Sequence, residues 1–374
     1  MKIVYVSHAI IPSRTANSIH IMKMCQAFAH NGHDVTLLAP DRSREYESDI
    51  DDIYEYYGVQ NNFKVKKLEY KYVKFVRTIL FSYEIVKSIS KINPDIVYGR
   101  YLYGCFLSSF GYKTFFESHA PMDTYLKYKL LKIMYKRKSF QKIIVISEAL
   151  KKIIIKKHNI EADKLLVAHD GADEVFNRED KVSLYGENKN LNVGYVGHLY
   201  QGRGIELIIE LAKHLKNMNF HIIGGTKKDI EYWQNYLNEY HIENFFFYGH
   251  MSPSMSVKFR NSFDILLAPY AKQVSVAGNS GDTSSFMSPL KIFEYMAHKK
   301  AMIVSDLPVL REVLNDNNAV LVTPEDVSAW IDALNRLSNS EYRESIALNA
   351  YMDFIKKYRW SDRAKKVIKS VYLS

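Results

Sequence analysis

The most distinctive chemical grouping in the sequence is GHLYQGRG at Gly197–Gly204, which holds Arg203 between two glycines. The segment follows an apolar run and precedes an amphipathic stretch, so it is predicted to connect a strand to a helix. Glycines let the backbone approach a ligand, and a guanidinium offers a fork of donors that matches phosphate oxygens. The pattern favours a phosphate-binding loop over the alternative, an ordinary turn with a solvated Arg203.

A second grouping, SSFMSPLKIFE at Ser284–Glu294, combines small residues, a proline and an acid. Pro289 is suited to the first turn of a helix, and the free N–H groups of a helix N-terminus attract anions. Glu294 lies among apolar and aromatic neighbours, which predicts a buried carboxylate that needs a partner. The ribose diol of a nucleotide would satisfy it, and a structural ion pair is the alternative.

Two groupings in the N-terminal half also follow apolar runs. The segment Ser7–Asn17 leads into a predicted helix, and either Asn17 or Ser18 caps that helix or the loop contacts a ligand directly. His119, in TFFESHAPM, stands at the predicted exit of a strand. A single histidine is more often structural than catalytic, but ligands of open α/β sheets bind at the carboxyl ends of strands. His119 is therefore a candidate functional residue.

Basic residues are concentrated in Thr124–Lys157, which contains eleven lysines and arginines and one acid, Glu148. Its net charge of +10 equals the formal charge of the whole chain. Aromatic and aliphatic residues are interleaved with these charges, a mixture that suits an anionic bilayer interface. Nucleic acid binding and a solvated helix face are the other interpretations of this segment.

Composition excludes several classes of protein. A chain of 374 residues, 25% of them charged and 47% hydrophobic, is typical of two globular domains. Two cysteines, Cys25 and Cys105, are too few for a disulfide framework or a zinc site and fit a reduced cytoplasmic setting. The opening MKIVYVSHAI is predicted to be a buried first strand rather than a signal peptide, and no apolar run approaches the roughly 20 residues of a spanning helix. Motifs for dinucleotide-binding, P-loop, zinc-protease and serine-hydrolase chemistry are missing.

Short apolar runs alternate with amphipathic stretches along the chain. This alternation predicts an α/β protein with two doubly wound parallel sheets and a cleft at their carboxyl ends. A polar linker is predicted at 174–190, and the tail at 342–373 is predicted to be helical. The predicted strands are Ile3–Val6, His33–Leu38, Asp95–Tyr98, Thr114–Glu117, Lys142–Ile146, Leu191–Tyr195, Asn219–Ile223, Phe245–Tyr248, Ile265–Ala268 and Ala301–Val304.

An ordered series of motifs runs along nearly the whole chain. It consists of SIHIMKMCQAFAHNGHDVTLLAP, NPDIVYGR, FFESHAP, VISEALKK, LLVAHDGADEVF, VGYVGHLYQGRGIELI, FYGHM, DILLAPY, SPLKIFEYMA, SDLPVLREVL and YRWSDRA. The series resembles the retaining glycosyltransferases of family four, also called group-one glycosyltransferases, which have the GT-B fold of two facing Rossmann-like domains. The resemblance implies an acceptor-binding domain at 1–180, a nucleotide-sugar-binding domain at 190–345, and a C-terminal helix at 346–374 that packs on the first domain.

The resemblance also assigns catalytic roles to three residues. His119 matches the family's histidine near the reacting sugar, Arg203 matches a lysine that neutralises the donor diphosphate, and Glu294 matches the second acid of the E-x7-E motif, which holds the ribose. Phe286 stands where that motif has its first acid, so Ser284, Ser285 or backbone groups would have to contact the sugar instead.

Further binding residues follow from the same resemblance. His198 stands where the family usually has an arginine on the phosphates. The donor-binding set comprises Gly197, His198, Arg203, Ser288, Pro289, Leu290, Lys291 and Glu294. Ala16 and Asn17 stand where the family often has a Gly-Gly loop, and with His20 and Arg100 they are assigned to acceptor binding.

The resemblance implies a glycosyltransferase that moves a sugar, with retention and without a metal or other cofactor, from a nucleotide sugar to a lipid-linked saccharide acceptor. Bacterial capsule, O-antigen or lipopolysaccharide synthesis is the implied setting. The protein is expected to bind an anionic membrane surface through Thr124–Lys157, on the cytoplasmic face, and to bind no nucleic acid. The alternatives are a small soluble acceptor, a GT-B-like nucleotide-sugar epimerase and a non-catalytic nucleic-acid-binding protein.

Overall fold

The structure, a computed structural model, describes residues 1–47, 50–73, 76–186, 189–275 and 281–372. Within these residues the chain forms two compact units. Unit 1 comprises Met1–Asp170 together with the segment from Trp360 onward, and unit 2 comprises Gly171–Arg359. The chain therefore leaves unit 1, builds unit 2 as one continuous stretch, and returns to unit 1 at its C-terminal end.

Each unit contains one parallel sheet, and the ten predicted strands are confirmed. Short β-branched and aromatic runs form the strands because such side chains pack well on a pleated, buried surface. The seven strands of unit 1 are β1 (Lys2–Val6), β2 (Asp34–Asp41), β3 (Lys64–Glu69), β4 (Ile96–Gly99), β5 (Lys113–Ser118), β6 (Phe140–Val145) and β7 (Leu165–Val167). The six strands of unit 2 are β8 (Leu191–Val196), β9 (Met218–Ile223), β10 (Phe245–Gly249), β11 (Ile265–Ala268), β12 (Ala301–Ser305) and β13 (Val320–Val322).

Helices connect successive strands of each sheet, since parallel strands need a crossover, except that β12 and β13 are connected through a 3-10 turn at Leu310–Glu312. The helices are α1 (Ala16–His30), α2 (Ile53–Tyr57), α3 (Arg77–Ile92), α4 (Leu102–Ser108), α5 (Tyr125–Tyr135), α6 (Glu148–His158), α7 (Ile205–His214), α8 (Lys227–Glu239), α9 (Pro253–Ser262), α10 (Leu290–Ala297), α11 (Val327–Leu337), α12 (Ser340–Lys357) and α13 (Trp360–Lys369). No helix among the described residues is both long enough and apolar enough to cross a bilayer.

The strand order in each sheet reverses direction once. It is β3-β2-β1-β4-β5-β6-β7 in unit 1 and β10-β9-β8-β11-β12-β13 in unit 2. The reversals fall between β1 and β4 and between β8 and β11. Ligands of open α/β sheets bind outside the carboxyl ends of the strands at such switch points, so a ligand is expected beside the residues that follow β1, β4, β8 and β11.

The first helix illustrates how local sequence sets the boundaries of an element. Its N-cap is Thr15, whose hydroxyl accepts a hydrogen bond from the Ser18 N–H at 3.3 Å, so the predicted cap at Asn17 or Ser18 was wrong. The helix stops at His30, and Gly32 follows with a φ of +83°. That left-handed conformation favours glycine, and it ends the helix.

The C-terminal tail is two helices that belong to different units. Helix α12 lies in unit 2 and packs against α10, whereas α13 lies in unit 1 and packs against α1. The buried residues of α13 are Trp360, Arg363, Ala364, Val367 and Ile368, which share one face of the helix.

The predicted linker at 174–190 lies in unit 2. Its Val182 N–H donates to the Ser262 hydroxyl at 2.9 Å. Residues 187 and 188 of the linker are outside the described residues.

The basic segment Thr124–Lys157 spans helix α5, the strand β6 and most of helix α6. Strand β6 is largely buried, and the Lys142 ammonium at its edge donates to the Asp163 carbonyl at 2.6 Å. The two helices meet where the Tyr128 ring of α5 stacks on the His158 ring of α6, with centroids 5.1 Å apart. The charge is therefore distributed over α5, residues 136–138, β6 and α6.

Candidate active site

The loop Gly197–Gly204 begins directly after β8, at the switch point of the unit 2 sheet. A Cβ at Gly197 would lie 2.7 Å from Lys291 Nζ and 3.1 Å from the Tyr195 hydroxyl. Gly204 has a φ of +80°, and a Cβ there would lie 2.0 Å from the Pro269 carbonyl oxygen. Both positions need glycine, because a side chain would push the loop away from the groups that it contacts.

Lys291, the second residue of α10, has a buried ammonium group. Its Nζ lies 3.8 Å from the centroid of the Tyr195 ring and 5.5 Å from that of Tyr270. This nitrogen has no hydrogen-bond partner among the described residues. Burial and the nearby charge of Arg203 lower the pKa of Lys291 well below its usual value. A buried ammonium without a partner is costly, and a bound anion would remove that cost.

Arg203 lies beside this ammonium. Its Nη2 donates to the Ser275 carbonyl at 3.1 Å, and its Cζ lies 5.5 Å from the centroid of the Tyr270 ring, the ring that Lys291 also faces. The Nε of Arg203 is buried and has no hydrogen-bond partner within the described part of the chain. Two cations with unused donors thus converge at the switch point, an arrangement that suits a phosphate or diphosphate group.

Glu294 has a structural partner that the sequence did not reveal. Its Oε2 accepts from Arg260 Nη1 at 3.3 Å, and Arg260 Nε donates to His298 Nε2 at 3.0 Å. An accepting Nε2 puts the His298 proton on Nδ1, which lies 2.8 Å from Asn261 Oδ1 and donates to it. Burial lowers the pKa of His298 well below its usual value, consistent with a neutral ring. This chain of side chains fixes one oxygen of Glu294, and the other, Oε1, is the one that a ribose hydroxyl would use.

The remaining predicted donor residues surround these cations. His198 stacks on Tyr200 with ring centroids 4.7 Å apart, and its carbonyl accepts from the Tyr195 hydroxyl at 2.7 Å. Helix α10 begins at Leu290 with Pro289 as its N-cap and Ser288 just before it. Phe286 is a buried ring, and the Ser284 hydroxyl donates to Asp282 Oδ2 at 3.0 Å.

Unit 1 contains a buried carboxylate–histidine cluster, formed by His20, Glu117, His119, Asp170 and Arg363. Glu117 is at its centre, because its Oε1 lies 2.6 Å from His119 Nε2 and 2.8 Å from both His20 Nε2 and Arg363 Nη2. Burial by itself would raise the pKa of Glu117, but Arg363, His20 and His119 hold that pKa well below its usual value. The carboxylate is therefore ionised, and it orients the groups around it.

His20 and Arg363 both contact Glu117 in this cluster. The side chain of His20 is 1% exposed and lies between two acids, with Nδ1 3.0 Å from Asp170 Oδ1. Its role in acceptor binding stays a prediction. Arg363 also donates through Nε to the His169 carbonyl at 3.0 Å, so α13 anchors the segment that follows β7.

His119 is the more accessible member of this cluster, with 18% of its side chain exposed. Burial and the charge of Arg100 lower the pKa of His119 to about 4, so the ring is neutral at pH 7. Because the carboxylate of Glu117 accepts the Nε2 proton, Nδ1 carries the lone pair. The imidazole is thus prepared to accept a hydrogen bond from a hydroxyl.

The other predicted acceptor residues lie near the carboxyl end of the same sheet. Ala16 and Asn17 are the exposed first residues of α1. Arg100 follows β4 directly, and its Nη1 is buried without a hydrogen-bond partner among the residues that the structure describes. The predicted residues thus fall into two groups, one in each unit.

Four members of the cluster are of metal-binding types, and one ligand atom from each of His20, Glu117, His119 and Asp170 lies within 4.8 Å of the others. The guanidinium of Arg363 lies 2.8 Å from Glu117 Oε1 in the same space. A metal ion bound there would be repelled by that permanent cation, so the residues fit a hydrogen-bonded charge cluster better than a metal centre. The absence of a metal requirement stays a prediction.

Sequence reasoning missed the groups that hold the predicted residues. Glu117 lies two residues before His119, and Asp170 and Arg363 occur in the motifs LLVAHDGADEVF and YRWSDRA, so charged residues inside quoted motifs were a usable signal. Arg260 and His298 carry no comparable local signal. Their roles arise only because hydrogen bonds join α9 to α10 and to the residue that ends it.

Comparison with known proteins places both halves of the chain in one family. A family model described as Glycosyltransferase Family 4 matches residues 18–176, and one described as Glycosyl transferases group 1 matches residues 190–340. A protein of Methanocaldococcus jannaschii described as an uncharacterised glycosyltransferase is 25% identical over 244 residues. That alignment spans 60% of this chain and 58% of the relative.

Solved structures share the fold along nearly the full length. A glycosyltransferase from Rickettsia africae has a TM-score of 0.74 at 13% identity and covers 98% of this chain and 97% of its own. HepE from Anabaena, in complex with UDP and glucose, has a TM-score of 0.73 at 13% identity, and the match covers 100% of this chain and 99% of HepE. The lipopolysaccharide outer core galactosyltransferase WaaB has a TM-score of 0.67 at 18% identity, and the match covers 100% of this chain and 99% of WaaB. These neighbours confirm the predicted GT-B fold class. Because the two family models together match most of the chain, the chain belongs to the group 1, or family 4, glycosyltransferases.

Proposed function

We propose that this glycosyltransferase transfers a sugar, with retention of configuration, from a nucleotide diphosphate sugar to a saccharide acceptor. The observation that carries the proposal is the buried Lys291 ammonium without a partner, beside Arg203 at the switch point of unit 2. Two such cations match the charge of a donor diphosphate. The complex of the similar HepE with UDP and glucose supports a uridine nucleotide as the first donor to test.

Unit 2 binds the donor in this proposal. Arg203 and Lys291 bind the diphosphate, helped by backbone N–H groups of Gly197, His198 and the start of α10 at Ser288–Leu290. The free oxygen of Glu294 accepts a hydrogen bond from the ribose. Fixed cations stabilise the negative charge that develops on the leaving group and need no metal ion to do so.

The transfer step balances without a further co-reactant. The bond between C1 of the sugar and the phosphate oxygen breaks, and its electron pair remains on the diphosphate. The acceptor oxygen bonds to C1 from the same face, and its proton passes to the departing phosphate oxygen. His119 accepts a hydrogen bond from a sugar hydroxyl through Nδ1 and holds the ring in place, while unit 1 binds the acceptor near Ala16, Asn17 and Arg100.

A thermal-shift screen over UDP-, GDP-, ADP- and CMP-sugars tests the donor class, because a ligand stabilises the fold that binds it. One nucleotide is expected to raise the melting temperature of the wild type, and Arg203→Gln is expected to remove most of that shift. A screen in which no nucleotide stabilises the protein would contradict the proposal. Conversion of the sugar without any acceptor would favour the epimerase alternative.

The acceptor in this proposal is lipid-linked and belongs to a bacterial surface polysaccharide, at the cytoplasmic face of the membrane. Support comes from exposed apolar side chains on α3 and α5, where Ile79 and Tyr125 are each 69% exposed. Leu126 and Ile133 are also exposed on α5, which carries Lys127, Lys129 and Lys132. Likeness to a lipopolysaccharide galactosyltransferase is in keeping with this acceptor class.

Vesicle flotation is expected to detect this membrane contact. The protein should float with vesicles that contain phosphatidylglycerol at low salt and detach as salt rises, because added ions screen charges at a surface. A double change of Ile79→Ser and Leu126→Ser should release it. The matched control, Tyr232→Ser with Leu348→Ser, removes two exposed apolar side chains of unit 2 and should still float. Equal release of both variants, or no flotation at low salt, would argue for a soluble acceptor.

A further inference from the structure

Unit 1 contains a cavity of about 380 Å³ at the switch point of its sheet. His8, which follows β1, and Arg100, which follows β4, both line it. Arg77 at the start of α3 and Lys127 in the first turn of α5 also line it. The cavity therefore occupies the position where an open α/β sheet binds its ligand.

The charges on this cavity are all of one sign. Arg42, Arg77, Arg100 and Lys127 line it, and none of its described lining residues is acidic. Glu45 pairs with Arg42 from outside the lining, with its Oε1 2.7 Å from Arg42 Nε. Arg100 Nη1 is buried without a partner among the described residues. Three guanidinium groups and an ammonium around a small cavity create a strong attraction for an anion.

Aromatic rings form the rest of the wall. The His8 ring stacks on Tyr101 with centroids 5.0 Å apart, and Arg42 Cζ lies 5.3 Å from the centroid of Tyr70. Burial, then the charges of Arg42 and Arg77, lower the pKa of His8 to about 4. The histidine is thus neutral and adds a flat ring rather than a charge. Such a wall suits a ligand with an apolar or ring-shaped part beside its anionic group.

Arg100 connects this cavity with the carboxylate–histidine cluster. Besides lining the cavity, it is close enough to His119 for its charge to lower the pKa of that ring. A ligand in the cavity would therefore lie at the same carboxyl edge of the sheet as His119, the residue proposed to face the reacting sugar.

From this geometry we infer that the cavity binds a phosphate or diphosphate group of the acceptor and that Arg42, Arg77, Arg100 and Lys127 recognise it. The inference rests on the proposed function, in which unit 1 binds the acceptor, and it specifies the chemistry of that acceptor. The phosphate belongs either to a polyprenyl carrier or to a phosphorylated soluble saccharide, and both present the same anionic group to the cavity.

Calorimetric titration of the full chain tests the inference with three probes: geranyl diphosphate, inorganic pyrophosphate and glucose 1-phosphate. The background is Arg203→Gln with Lys291→Met, which removes the proposed donor anion site in unit 2. The cavity variant adds Arg77→Gln and Lys127→Gln, both at exposed positions. Its matched control adds Lys91→Gln and Lys129→Gln, which lie on the same two helices, outside the cavity, and change the net charge equally.

The cavity variant should bind at least one probe tenfold or more weakly than the background, while the control stays within twofold. A higher affinity for geranyl diphosphate than for the two soluble probes would support the inference with a lipid carrier. Comparable affinities for all three probes would support it with a soluble phosphate. No binding of any probe, or equal weakening in the cavity variant and the control, would overturn it. If only the cavity inference is wrong, nucleotides will still raise the melting temperature of the wild type. If the proposed function is wrong, no nucleotide will raise it.

Discussion

Replacing Lys291 with methionine is expected to make the ligand-free protein more stable and the enzyme at least tenfold less active. The Lys291 ammonium is buried against Tyr195, and its nitrogen has no hydrogen-bond partner among the described residues. An unsatisfied buried polar group costs about 1–3 kcal/mol, and more when it is charged. Methionine fills similar space without that charge, so the free energy of unfolding should rise.

Activity should change in the opposite direction because the same ammonium binds the donor diphosphate in our proposal. A hydrogen bond to a charged group contributes roughly 1.5–3 kcal/mol, which corresponds to a loss of about tenfold to more than a hundredfold in kcat/KM. Opposite changes in stability and activity at one residue are typical of functional sites that carry a stability cost.

Steady-state kinetics with the nucleotide sugar and thermal unfolding without ligand measure the two effects. Lys228→Met is the matched control, because Lys228 is an exposed lysine on α8 of the same unit, and it should change neither quantity. Wild-type kcat/KM in Lys291→Met would contradict the diphosphate role, and a lower melting temperature would contradict the view that the ammonium is unsatisfied in the ligand-free protein.

Replacing Arg363 with methionine is expected to destabilise unit 1 by about 3–5 kcal/mol, the usual cost of removing one partner from a buried ion pair. Arg363 is 4% exposed and lies 2.8 Å from Glu117, which is 1% exposed. Without the guanidinium, Glu117 and Asp170 would remain as two buried acids. The His169 carbonyl would also lose its donor.

Hydrogen exchange followed by mass spectrometry resolves this effect, because it reports unit 1 and unit 2 separately. Protection should fall in α1, β5 and α13 and remain unchanged in β8–β13. Lys365→Met, an exposed position on the same helix, should leave the exchange pattern unaltered. Adding Glu117→Gln to Arg363→Met should cost less than Glu117→Gln alone, because the acid has already lost its cation. Independent, additive costs would show that the pair is not coupled.

Local sequence patterns predicted the central strands and the edge strand β10 but missed three edge strands, β3, β7 and β13. Central strands such as β4 and β11 are apolar runs whose residues are all buried, so their residues identify them without tertiary information. Edge strand β3 reads KVKKLE and has exposed lysines at alternate positions. Lysines are common on edge strands because they discourage pairing with other chains, but the same residues lower the strand signal. The strands β7 and β13 were missed because each has only 3 residues.

Sequence patterns alone indicated Arg203, Glu294 and His119 as candidate functional residues, because glycine, proline and charged residues recur at the ends of apolar runs. The resemblance to the family added Lys291 and Arg100. The tertiary structure decided what state those residues are in: Lys291 is buried without a partner, Glu294 is held by Arg260, and His119 is a neutral ring oriented by Glu117. Burial, charge and tautomer depend on neighbours that are distant along the chain. Arg363 reaches Glu117 across 246 positions, a contact that only the packing of α13 against unit 1 creates.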